Sequence, residues 1–518
     1  MRSIYSVKNS ITSLISNLVA TVLGFIAQAC FIRVLGAEYL GLNGLFTNVL
    51  TVLSFFELGI GNAIVFHLYK PISNNNVEKM KSLMNFYKKA YNIIALVVLV
   101  CGLMIIPFLN IIVGKITIDI NIVLIYIMFL ISTVSSYLLM YKRNLIYANQ
   151  KSYIINIVHI AYLVILNFFQ LLFLYLTKNY YIYLGIKIVC QILENIVNSV
   201  IANKLYPFIK EKNITQLDKD TRTDIFNKVK ALIFHKVGTV VVTGTDNILI
   251  SSFFGVKLVG LYSNYSIIIN AVNTLFGQII TSTTASVGDL LTTKDTNKKY
   301  NVFSKVRFIN FILASIGSIG IFVSSESFIS LWVGKEYILN NFIVIVLILN
   351  CFQNIMKCTY NTFKDSGGIW IEDRHIPIIE SIVNLICSLV FLHVFGLAGV
   401  FIGTLISSLI LWLYSYPKYV YNKLFKRSYI QYLKETLSYL IIFVFSAFIT
   451  YVIAKQIYIN NIYLEFIKCL ILSLIIPSII YIIIFRKTND FKYFIQLIKT
   501  IFINLKPKFQ RKLNTQKE

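Results

Sequence analysis

Lysine and arginine in this chain keep to alternate gaps between long apolar runs, and that alternation constrains the fold more than any other feature. About 20 consecutive apolar residues cross the hydrocarbon of a bilayer as a helix. Runs of that length fall near 11–35, 42–69, 90–114, 119–140, 152–177, 180–202, 231–254, 259–285, 304–325, 338–360, 376–394, 397–416, 435–454 and 462–485. One set of gaps holds Lys70, Lys79, Lys81, Lys88 and Lys89, then Lys142, Arg143 and Lys151, then seven cations from Lys204 to Lys230. The same set continues with Lys294, Lys298, Lys299, Lys305 and Arg307, then Lys357, Lys364 and Arg374, then five from Lys418 to Lys434. The other set offers only Lys115, Lys178, Lys257, Lys335 and Lys455. Cations accumulate on the cytoplasmic side of spans. The expected molecule is therefore an all-α polytopic membrane protein of about fourteen spans, with both termini cytoplasmic.

Composition agrees. Hydrophobic residues make up 57% of the chain and charged ones 14%, where a soluble chain carries roughly a quarter charged. The net charge of +26 would suit a nucleic-acid binder if it gathered on one face. Confined to short connections it reads as topology, so no nucleic-acid partner is expected. Seven cysteines lie mostly inside apolar runs without metal-ligand spacing, and no cofactor or metal is expected. Arg2 and Lys8 precede a run too long for a secretory signal, so that run reads as the first span. No outer connection is long enough for a catalytic domain, and the chain reads as a transporter rather than an enzyme. Asp218-Lys219-Asp220 matches the acidic pair of glycosyltransferases but sits in a solvated linker, where three residues carry little weight.

An internal repeat is visible. Phe108-Leu-Asn-Ile-Ile-Val-Gly-Lys115 returns as Phe328-Ile-Ser-Leu-Trp-Val-Gly-Lys335, and Leu35-Gly36 with Gly41-Leu42 returns as Phe254-Gly255 with Gly260-Leu261. Six spans separate the copies, so both point the same way through the membrane. Parallel repeats of this kind place a substrate path between two lobes. The expected organisation is an N-lobe (1–203), a cytoplasmic linker (204–230), a C-lobe (231–417), a last helix pair (418–485) and a basic cytoplasmic tail (486–518). Apolar residues at helical spacing in that tail suit a helix on the inner leaflet.

Four spans carry polar stripes. At 3.6 residues per turn, Ser10, Ser13, Asn17, Thr21, Gly24 and Gln28 share one face of the first span. Asn43, Thr47, Ser54, Glu57 and Gly61 share one face of the second. The seventh carries His235, Thr239, Thr243 and Asp246, bordered by Lys236. The eighth carries Ser263, Ser266, Asn270, Asn273, Thr274, Gly277 and Thr281. Serine, threonine and glycine commonly glue membrane helices, but a carboxylate in a span is costly unless it meets water or a partner. Asn17, Gln28, Glu57, His235, Lys236, Thr239, Thr243, Asp246, Asn270 and Asn273 are thus the candidate lining of the path, with Glu57 and Asp246 candidate sites for a coupling cation. Lys187 and Glu194, seven apart on the sixth span, are a candidate pair.

The stretch Arg33–Pro71, RVLGAEYLGLNGLFTNVLTVLSFFELGIGNAIVFHLYKP, resembles the first two spans of the Wzx-type polysaccharide flippases. Thr245–Leu290, TDNILISSFFGVKLVGLYSNYSIIINAVNTLFGQIITSTTASVGDL, is similar to the start of their second lobe. These flippases belong to the multidrug/oligosaccharidyl-lipid/polysaccharide exporter superfamily. The resemblance implies a V-shaped, two-lobed transporter in the cell membrane of a bacterium. Working by alternating access and driven by an H+ or Na+ gradient, it would move an undecaprenyl-diphosphate-linked oligosaccharide to the outer leaflet for capsule or another surface polysaccharide. It also implies membrane lipid and a polysaccharide polymerase as partners. The family's lumens are cationic, whereas the stripes here hold two acids. A MATE-type cation-coupled drug exporter and a MurJ-type lipid II flippase are the rival readings.

Overall fold

The computed structural model describes residues 2–57, 60–211, 216–369 and 372–500. Among these the regular structure is helical throughout. The chain opens with α1 (Arg2–Leu35), α2 (Ala37–Leu53), a tight turn over Ser54–Glu57 and α3 (Ile60–Ser73). Next come α4 (Val77–Ile105), the short α5 (Leu109–Val113), α6 (Ile122–Tyr137), α7 (Met140–Ala148), α8 (Ser152–Thr177) and α9 (Tyr180–Leu205). The second half holds α10 (Lys219–Phe254), α11 (Val256–Thr281), α12 (Thr284–Thr292), α13 (Thr296–Trp332), α14 (Asn341–Ser366) and α15 (Ile376–Phe395). α16 (Leu397–Ile410) widens into π-helical turns over Leu411–Leu424 around Pro417, and α17 (Tyr429–Gln456) and α18 (Ile462–Phe485) close the bundle.

Ten of these helical stretches are long and apolar enough to cross a membrane, or eleven if α6 and α7, bent by 41°, form one span. Segments α2, α3 and α11, which carry two of the four polar stripes, are not among the ten. The second run, expected as one helix, is broken: α2 and α3 have 17 and 14 residues and meet at a turn beside Glu57. Helix α10 starts well before the expected span. Asp218 caps it by accepting from the Thr221 amide at 3.0 Å, so half of the presumed linker is helical. A side-chain oxygen that takes an otherwise orphaned amide explains such starts, and Asn76, Asn121, Asp295 and Asn461 act likewise on α4, α6, α13 and α18.

The repeat is written in the backbone. Among the described residues six glycines have positive φ, and four of them fall in the two sequence matches: Gly36 (+93°) with Gly255 (+84°), and Gly114 (+67°) with Gly334 (+124°). Left-handed φ is cheap only for glycine. The chain therefore turns between α1 and α2, and again between α10 and α11, by the same device.

The described residues gather into two compact units, one of 1–264 with 377–403 and one of 265–376 with 404–518. In the first, α1 lies along α8. Asn9 Nδ2 donates to the Gln150 carbonyl at 2.9 Å, and Asn156 Nδ2 donates to Thr12 Oγ1 at 3.1 Å. In the second, α13, α14, α17 and α18 enclose an aromatic core that includes Phe311, Phe352, Tyr439 and Phe443, with Phe352 and Phe443 stacked at 4.0 Å. The tail begins as helix through residue 500 and folds back on α13, where Asp490 accepts from Ser304 at 2.6 Å and Phe494 meets Phe308.

Candidate functional site

Within the first unit, α2 crosses the start of α11 at two glycines that the sequence repeat pairs. A Cβ on Gly41 would lie 1.8 Å from the Val256 carbonyl oxygen, and a Cβ on Gly260 would lie 2.0 Å from the Ala37 carbonyl oxygen. Ala37 and Val256 are related by the same offset as Gly41 and Gly260. The contact thus maps onto itself when the repeats exchange, as a local two-fold requires. Only glycine permits an approach this close.

Polar side chains collect beside that crossing. Gln28 of the α1 stripe donates through Nε2 to Asn264 Oδ1 at 2.7 Å. Asn264 is fully buried, and its Nδ2 has no partner. Gly44 of α2 opens a gap into which Ser263 Oγ and Asn247 Nδ2 reach, 3.0 and 3.7 Å from the position of a Cβ. Asn247 is buried with Oδ1 unpartnered, and one carboxylate oxygen of Asp246 next to it is likewise shielded and without a hydrogen bond. A buried carbonyl or carboxylate oxygen left unpaired costs of order 1–3 kcal/mol. Two such acceptors on adjacent residues form a place where a cation or a proton would be stabilised.

Glu57 sits elsewhere in the same unit, at the break between α2 and α3. Its field and that of Arg143 both reach the Tyr91 hydroxyl, and Glu57 also reaches Tyr137. Tyr91 is buried and accepts from Asn144 Nδ2 at 3.0 Å. Gly61 lies against this group. Asn17 is half-buried on α1. On α11 within the second unit, Asn270 donates to Ser266 at 3.2 Å and Asn273 accepts from the Cys351 thiol at 3.5 Å. The side chains of His235, Lys236, Thr239 and Thr243 lie outside the described residues.

Several functional candidates escape a stripe-based reading. Asn264 lies a residue away from the α11 stripe, about 100° round the helix. Arg143 looked like one more cytoplasmic charge. Glu194, paired with Lys187 in the sequence reading, instead meets His159 Nδ1 at 3.0 Å, while the Lys187 ammonium lies over the Phe129 ring at 5.0 Å. Asn198, one turn beyond Glu194, is buried with neither amide atom bonded.

No family model matches the sequence, and no characterised protein matches it by sequence. Solved structures do match the fold. An inward-facing MATE-family multidrug-resistance transporter of the MOP superfamily shares it with a TM-score of 0.61 at 14% identity, covering 77% of this chain and 94% of its own. The lipid II flippase MurJ, inward closed, gives 0.64 at 15% identity, covering 92% of this chain and 98% of its own. A mutant of the Vibrio cholerae MATE transporter VcmN gives 0.56 at 14%, covering 79% and 94%. The chain has the MATE/MurJ transporter fold. These neighbours are transporters and a flippase, not enzymes.

Proposed function

We propose that the protein is a lipid-linked oligosaccharide flippase. It carries an undecaprenyl-diphosphate-linked repeat unit from the inner to the outer leaflet for surface polysaccharide, by alternating access coupled to H+ or Na+. The observation that carries this reading is the extent of the fold match. MurJ, a lipid flippase by name, covers 92% of the chain against 77–85% for the MATE transporters. The carboxylates in the polar stripes, costly in a span unless they meet water or a partner, support a wet path. In this reading the chain crosses the membrane fourteen times with both ends cytoplasmic, and the stripes of α1, α2, α10 and α11 line the path. Asp246, with Asn247, and Glu57 take up the coupling cation.

Deleting the gene tests it. Loss of surface polysaccharide with lipid-linked repeat units retained inside is the expected result. Intact polysaccharide with altered drug sensitivity would point to an exporter, and accumulated lipid II to a peptidoglycan flippase. For topology, a single cysteine in 326–341 is expected to react with an impermeant reagent added outside, and one in 203–211 to be protected.

A further inference from the structure

A second polar site lies in the second unit, away from every stripe. The ends of α13 and α17 and the start of α18 enclose a cavity of about 290 Å³, near the lower end of small-molecule sites. Its walls carry Glu326, Lys335, Tyr451, Lys455, Tyr458 and Glu465. Its floor is tied down from beneath. Lys468 is buried there, donating to both Glu465 oxygens at 2.7 and 2.8 Å, to the Ala454 carbonyl at 2.8 Å and to the Ile457 carbonyl. Those bonds fix the α17–α18 connection and with it Tyr458, which is 80% exposed. Tyr451 is held by stacking on Phe322 at 4.9 Å.

From this arrangement we infer that the pocket binds a neutral, polyhydroxylated sugar. Across the mouth Lys455 Nζ lies 2.7 Å from Glu326 Oε2, and at the floor Glu465 is likewise paired, with Lys468. Each carboxylate is thus already neutralised by an ammonium group, so an ion of either sign would have to break a pair to gain a full partner. A hydroxyl suits both, giving its proton to a carboxylate while accepting from the ammonium beside it, and charge-assisted bonds of that kind are the stronger ones. Tyr458 offers an exposed ring to the apolar C–H face that sugar rings present, an amphipathic contact suited to a wet rim. A cavity of this size takes one or two sugar rings, not a lipid.

The inference rests on the flippase reading and its orientation, in which these helix ends face outward. The pocket then receives the glycan once its lipid has been turned over.

Saturation-transfer NMR on the full-length protein in nanodiscs tests it, with methyl glucoside and N-acetylglucosamine as neutral probes and glucuronate and glucosamine as charged ones. The neutral sugars are expected to receive saturation several-fold above the charged pair. Tyr458→Ala and Glu326→Gln are expected to lower that signal at least fivefold, while Tyr458→Phe retains it. Because Tyr458 is exposed, an unchanged thermal midpoint shows that these variants stay folded. No transfer to the neutral sugars, equal transfer in Tyr458→Ala, or a preference for a charged probe overturns the assignment. Sugar binding with intact polysaccharide after gene deletion removes the flippase reading alone. Absent binding with lost polysaccharide removes only the pocket.

Discussion

The seam where α2, α10 and α11 meet and the junction of α13 with α17 both bury polar side chains, but they treat their charges in opposite ways. At the junction the charges are paired, although Arg307 Nε, Asn310 Oδ1 and Thr436 Oγ1 there have no hydrogen-bond partner. Arg307, 3% exposed in its side chain, pairs with Glu435 at 2.7 Å and lies over the Tyr439 ring at 5.1 Å. Glu435 also accepts from Tyr421 and from Gln431 Nε2, each at 2.8 Å. Nearby, Lys364 pairs with Asp373, which accepts from Ser415 at 2.9 Å. At the seam, Asp246, Asn247 and Asn264 each hold a buried atom with no partner. Paired buried charges fix one arrangement, whereas a shielded carboxylate oxygen without a partner, as at Asp246, is strain that a ligand or a second state relieves. The junction reads as anchorage and the seam as machinery.

That contrast predicts opposite responses to mutation. The largest effect belongs to Arg307→Ala. It leaves Glu435 charged and partly buried, and breaking such a pair costs about 3–5 kcal/mol, read as a lowered thermal midpoint in detergent. Arg307→Met combined with Glu435→Leu is expected to cost much less, because neither charge is left alone. Equal losses in the single and double variants would show that the pair's worth lies in packing.

Next come the crossing glycines. Gly41→Ala and Gly260→Ala each drive a methyl into a backbone carbonyl, and overpacking costs about 1–3 kcal/mol. The local two-fold demands similar losses from both. Gly288→Ala in α12, where a Cβ meets nothing within 4 Å, is the control. There alanine stabilises a helix, by about 1 kcal/mol at most. Tolerance at Gly41 with sensitivity at Gly260 would break the symmetry.

At Asp246 the comparison is sharpest. Asp246→Asn removes a carboxylate that has an unpartnered oxygen, so stability is expected to hold or rise slightly while transport falls at least tenfold. A destabilised variant would reveal a partner that anchors the acid and would move Asp246 to the junction's class.

The amino-acid sequence announces the fold because lipid leaves few choices. Long apolar runs must be helices, and cations between them set the order. The glycine repeat was legible for the same reason, since turns with positive φ need that residue. Breaks inside runs were not. Nothing apolar or polar marks the turn at Ser54–Glu57 as different from ordinary helix, whereas Pro417, which cannot donate to the helical ladder, does mark where the π-helical turns fall. The site was half legible. Periodicity locates Gln28 on a face, but Asn264, its partner, lies 236 residues away and off its own helix's stripe. His159 and Glu194 meet across two helices, a distance that no local period encodes. Arg143 was hidden by the charge rule that made the topology readable, because a cation at a cytoplasmic helix end already has an explanation.

The smallest predicted effect tests whether the start of α10 belongs to the anchored class. Asp218 is more than half exposed, and its 3.5 Å pair with Lys79 is a surface contact of little worth. What holds it is the cap. The Thr221 hydroxyl and then the Thr221 amide donate to its carboxylate, which pulls its pKa down to about 2 from the ordinary 3.8 of an aspartate. Asp218→Ala is therefore expected to cost about 1 kcal/mol, the usual worth of a cap. Because the folded value lies below the unfolded one, the charge-dependent share of that stability is present above pH 3.8 and fades as pH falls through 2. Asp218→Asn separates the parts, since an amide oxygen caps without titrating. Its thermal midpoint relative to the parent protein is expected to be lower at pH 6 and level with it near pH 2. A constant gap across that range would mean that geometry, not charge, starts the helix.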